Sequence, residues 1–172
     1  SMNPQLATRL MGGIAYSYGN STVVPYSDQF YVGGANSVRA FTIRSVGPGR
    51  FVSRGRKFSY MDQTGDIKLE GNAELRFPIF GSLLGAWFVD AGNVWTMRHD
   101  DTRQGGTFHL PDLMNDLALG TGAGIRYDLE FLVVRLDLGV ALHDPASPNS
   151  GYFDTGKLSR RFALHFAIGY PF

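Results

Sequence analysis

From Arg161 to Phe172 large apolar side chains alternate one for one with small or polar ones. Phe162, Leu164, Phe166, Ile168, Tyr170 and Phe172 fall on one side, and Ala163, His165, Ala167 and Gly169 on the other. A period of two marks a strand whose two faces meet different surroundings. Residues 129–142 repeat it, with Leu132, Val134, Leu136, Leu138 and Val140 opposite Val133, Arg135, Asp137, Gly139 and Ala141. Residues 65–79 are sharper: Ile67, Leu69, Gly71, Ala73, Leu75 and Phe77 alternate with Lys68, Glu70, Asn72, Glu74 and Arg76. In 83–95, Trp87 and Val89 oppose Phe88 and Asp90. In 117–129, Gly120, Gly122 and Gly124 fall in phase with Arg126, and 6–19 reads as a weaker sixth strand. The pattern predicts an all-β chain of about six strands, up to eight if 24–33 and 50–62 supply one or two more.

The face opposite the large residues separates two all-β classes. A soluble sandwich buries its large residues and shows Lys, Glu or Thr to water. Here the second face is small, or carries charge that facing lipid at mid-depth would cost up to roughly 2–4 kcal/mol per residue. The apolar rows therefore read as lipid-facing and the charged rows as lumen-facing. Connection lengths agree. Residues 20–64, 98–116 and 143–160 are long, whereas "IFGS" and "YDLE" are short, the alternation of outer loops and periplasmic turns in an antiparallel transmembrane β-barrel. Closing a barrel takes about eight strands, so six imply open edges, which favour association with another copy. Ser1-Met2 reads as a cloning remnant, leaving residues 3–172 as the C-terminal part of a barrel domain, with further strands and periplasmic modules expected ahead of it.

Composition narrows the picture. A net charge of +1 supplies no field to recruit nucleic acid. With no cysteine there is neither a disulfide framework nor a thiolate nucleophile. No apolar run reaches the roughly 18 residues of a membrane helix, which a barrel does not need. "GTGAG" lacks the helix of a phosphate loop and reads as close strand packing. The histidines at 99, 109, 143 and 165 lack metal-ligand spacing, and no nucleophile elbow or ordered triad appears. Neither metal, cofactor nor enzymatic activity is expected. The basic stretch from Arg50 suits lipopolysaccharide or solvent better than nucleic acid.

"QFYVGGANSVRAFTIRSVGPG" interrupts the strands with paired glycines and one arginine among apolar neighbours. Together with "LRFPIFG", "FVDAGNVW" and a terminal strand ending in Phe172, in that order, it resembles the BamA/TamA outer-membrane assembly superfamily (bacterial surface antigens). That family's sixth outer loop carries a VRG(F/Y) motif, matched here by Val38, Arg39, Ala40 and Phe41, with Ala40 in place of glycine. The resemblance covers essentially the whole chain and implies a long loop folded into the lumen. Arg39 would then meet Asp90 and Glu74 on the inner wall, with Phe88 packed beside them. Gly33 and Gly34 would turn the loop inward, and Gly47 and Gly49 would lead it out. Without the other motifs Arg39 would read as a solvated loop arginine. Phe166, Ile168, Tyr170 and Phe172 resemble a C-terminal outer-membrane insertion signal, though an aromatic girdle residue would look the same.

The implied function is insertion of β-barrel proteins or lipoproteins into or across a Gram-negative outer membrane. Its partners would be membrane lipids, unfolded clients and accessory lipoproteins, with no nucleic acid. Alternatives are a two-partner-secretion translocator, a barrel anchoring a fused N-terminal enzyme, and a soluble lipocalin-like binder.

Overall fold

The computed structural model describes residues 3–52, 62–147 and 162–172. Six strands form one sheet: β1 (Gln5–Ile14), β2 (Ile67–Phe80), β3 (Leu83–Trp95), β4 (Ala118–Asp128), β5 (Val133–His143) and β6 (Phe162–Ile168). Each pairs antiparallel with its neighbour in sequence, in the order β1-β2-β3-β4-β5-β6. The β2–β3 and β4–β5 connections are tight and the others long, as the sequence predicts. Of the further strands expected, 24–33 contributes only single bridges, Phe30 to Gly65 and Val32 to Val46, after one helical turn at Tyr26–Asp28. Val32 and Phe30 pack in and against the loop's valine cluster instead of joining the ladder. Most of 50–62 lies outside the described residues.

The sheet is inside out relative to a soluble fold. Leu6, Leu10 and Ile14 of β1 and Leu164, Phe166 and Ile168 of β6 are each at least 67% exposed, while Arg39, Glu74, Asp90, Arg126, Arg135 and Asp137 are fully buried. Water outside would make that arrangement costly, whereas hydrocarbon outside favours it. The apolar core is correspondingly small, with Val32, Val38, Val46, Val94 and Ala118 clustered where the loop meets β3 and β4.

Cross-strand register builds a trough on the concave face. One row runs Glu74, Phe88, Gly122, Gly139, Ala163 across β2 to β6, and the next runs Arg76, Ala86, Gly124, Asp137, His165. In the first row the large side chains of β2 and β3 give way to glycine and alanine toward β6, leaving room for another chain segment to lie on the wall. No pairing joins β1 to β6 among the described residues.

Candidate functional site

Residues 33–49 occupy that trough. The turn inward is made at Gly33 and Gly34, whose φ angles of 110° and 105° favour glycine. At Gly33 a side chain would in addition meet the Thr42 carbonyl at 2.4 Å. The loop folds back on itself through Ser37 N–H to Gly34 O (3.0 Å) and Gly34 N–H to Phe41 O (3.1 Å). Gly47 and Gly49 also have positive φ, and the Gly49 N–H donates to the Val94 carbonyl at 2.8 Å, pinning the outgoing limb to the end of β3.

Each motif residue has a defined seat. Val38 is fully buried in the valine cluster, with Phe41 packed against the same cluster. Ala40 lies over Gly120, where a Cβ on the glycine would come within 2.2 Å of the alanine methyl. The alanine that stands where the family carries glycine is thus accommodated by a glycine of the wall. Arg39 forks onto Asp90, Nε to Oδ2 at 2.8 Å and Nη2 to Oδ1 at 2.9 Å, while its Nη1 donates to Glu74. Its guanidinium carbon stands 3.7 Å from the centre of the Phe88 ring, a cation–π stack. The expected partners Glu74, Phe88 and Asp90 therefore all converge on Arg39. Burial alone would lower the Arg39 pKa, but the hydrogen bonds and charges of Asp90 and Glu74 outweigh it and raise the value.

The network extends beyond the three partners expected. Glu74 also receives Arg126 Nη2 at 2.9 Å and Arg76 Nε at 2.8 Å, so one carboxylate serves three guanidinium groups. Asp137 bridges Arg126 and Arg135, and Glu70 pairs with Arg9 and Lys68. The same alternation that placed Glu74 inward could have found these residues, since Arg126, Arg135 and Asp137 all lie on lumen-facing rows.

The wall also satisfies the loop backbone, as buried peptide groups require. The Asn36 carbonyl accepts from Arg9 of β1 (2.8 Å), Ser37 from Asn72 of β2 (2.9 Å), and Ala35 from Arg135 of β5 (2.8 Å). The Arg39 N–H donates to Asp90 Oδ2 at 3.0 Å, and its carbonyl lies 2.9 Å from His165 Nε2 of β6. Backbone acceptors carry no sequence signature, which is why these contacts escape a reading of motifs.

The chain end departs from the expected outward row. Phe166 and Ile168 face outward and Tyr170 is 40% exposed, but the strand stops at Ile168 and Gly169 adopts φ 86°. The turn carries Phe172 inward, its ring 5.1 Å from the Arg9 guanidinium carbon and 5.8 Å from that of Arg39. Period-two alternation cannot register one glycine that reverses φ, so Phe172 leaves the lipid face to which periodicity assigned it.

An antiparallel sheet with a charged concave face, an apolar convex face and a loop bound inside is part of a transmembrane β-barrel. An Omp85 superfamily domain matches residues 2–172, and the chain belongs to that superfamily. It is 36% identical over 133 residues to the outer membrane protein assembly factor BamA of Neisseria meningitidis serogroup B, covering 67% of this chain and 16% of that protein. It is 30% identical over 155 residues to the sorting and assembly machinery component 50 homolog of Xenopus tropicalis, covering 85% of this chain and 30% of that protein. The chain thus spans less than a third of the length of these relatives.

Proposed function

We propose that this chain is the C-terminal barrel portion of an outer-membrane assembly factor, which lowers the barrier for β-barrel or lipoprotein clients to enter or cross the membrane. The observation that carries the reading is the lumen loop anchored on the inner wall through Arg39, which bonds Asp90 of β3 and Glu74 of β2; where the first and last strands of a complete barrel meet in a weak seam, one edge can open. An unpaired edge is a template on which an extended client segment adds as a strand, and main-chain hydrogen bonds supply the affinity. The loop holds the wall's curvature while that edge works. No bond is made or broken in such a process. The names of both relatives concern assembly, which supports the same reading.

Membrane lipids, unfolded clients and accessory lipoproteins are the partners of this reading, a Gram-negative outer membrane is its setting, and the free edges favour self-association. Phe166, Ile168, Tyr170 and Phe172 belong to it as the chain's own insertion signal. The test is the rate at which a urea-denatured barrel client becomes protease-protected in liposomes carrying the chain. Acceleration over protein-free liposomes, reduced in Arg39→Asp, is expected; equal rates with and without the chain would overturn the reading.

A further inference from the structure

β6 lies at one edge of the sheet, and its sequence Phe162–Ile168 holds one polar side chain, His165. On the concave side it is flanked by Ala163 and Ala167, and its cross-strand partner Asp137 is already engaged by Arg126 and Arg135. Its Nε2 lies 2.9 Å from the Arg39 carbonyl. A carbonyl only accepts, so Nε2 carries the proton.

Reaching that carbonyl depends on Gly139 of β5, diagonal to His165, because a Cβ there would stand 2.3 Å from the Arg39 oxygen. Arg39 is thus held at three points. Its side chain binds β2 and β3, its N–H binds β3, and its carbonyl binds β6, three strands away across the trough. The first two anchors engage carboxylates and the third a peptide carbonyl, so the third is the weakest.

We propose that His165 is a positioning residue, which fixes the edge strand β6 to the lumen loop through the Arg39 carbonyl and can release it without disturbing the Arg39 ion pairs. This rests on the assembly reading in one respect only, namely that β6 is an edge that works. The contact itself is tested independently of client insertion. Backbone amide exchange of β6 in the folded chain reports its opening, and heat-modifiability on gels reports the fold.

His165→Leu keeps the bulk and removes the donor. It should speed exchange of the β6 amides by roughly three- to tenfold, the worth of one hydrogen bond to a peptide carbonyl, with β2 and β3 unchanged. His165→Gln restores an N–H donor and should stay near wild type. Gly139→Ala presses on the Arg39 carbonyl and the Ala40 backbone together and should speed β6 exchange at least as much as His165→Leu, with the double variant no faster than Gly139→Ala alone. Equal exchange in His165→Leu and wild type, a glutamine variant as fast as the leucine one, or additive effects in the double variant would each overturn the proposal. A chain that passes this test and yet fails to accelerate client folding would overturn the assembly reading instead.

Discussion

Arg39 shows how a single side chain is specified by shape as well as charge. Its two bonds to Asp90 use the planar fork of the guanidinium, and the Phe88 ring covers its face. Lysine has neither the fork nor the plane. Arg39→Ala leaves the fully buried Asp90 without its charged partner, a loss on the order of 3–5 kcal/mol. Arg39→Lys should recover only part of it, as read from urea midpoints of the heat-modifiable form. The pairing was legible in the sequence because alternation alone turned Glu74 and Asp90 inward, and motif order supplied the arginine that meets them. His165 was not legible: its partner is a main-chain oxygen, and a lone histidine in an alternating strand signals only which way it points.

At the scale of elements, β4 makes the approach of the loop possible. Gly120, Gly122 and Gly124 lie in register with Asp90, Phe88 and Ala86, so the bulk of β3 faces a bare strip next door. Gly120→Ala would press a methyl group against Ala40, an overpacking cost of roughly 1–3 kcal/mol. Ala40→Gly in the same chain should remove most of that cost, and urea midpoints of the two single variants and the double one check it. In the sequence this glycine row read as close strand packing, which describes Gly122 and Gly124, where a Cβ would meet the Leu138 and Leu136 carbonyls of β5, whereas Gly120 faces the loop at Ala40. Residues 24–33 misled for the opposite reason. Valine, tyrosine and phenylalanine recur there, but Val32 is buried in the loop's own cluster and the backbone finds only isolated bridges.

The whole molecule has its apolar surface outside and its charges inside, and its two tryptophans report the difference. Trp87 faces outward and is 53% exposed, whereas Trp95 is fully buried, its Nε1 donating to Asp116 Oδ2 at 3.0 Å. In liposomes carrying mid-chain brominated lipid, Trp95→Phe, which retains Trp87, should be strongly quenched, and Trp87→Phe should be nearly unaffected. The two-faced pattern was readable from alternation because lipid and lumen impose opposite demands on successive residues. The inward turn of the chain end was not, because one positive φ at Gly169 redirects everything after it.

An arginine carried into the lumen is neutralised by acids on the inner wall, and a charge-swap cycle between Arg39 and Asp90 measures that pairing. Asp90→Arg alone and Arg39→Asp alone should each lower the urea midpoint of the folded chain. The double variant should regain part of the loss, with a coupling of about 1 kcal/mol or more between the two positions. Strictly additive losses would mean that Arg39 and Asp90 do not share an ion pair and that the loop is held on the wall by something else.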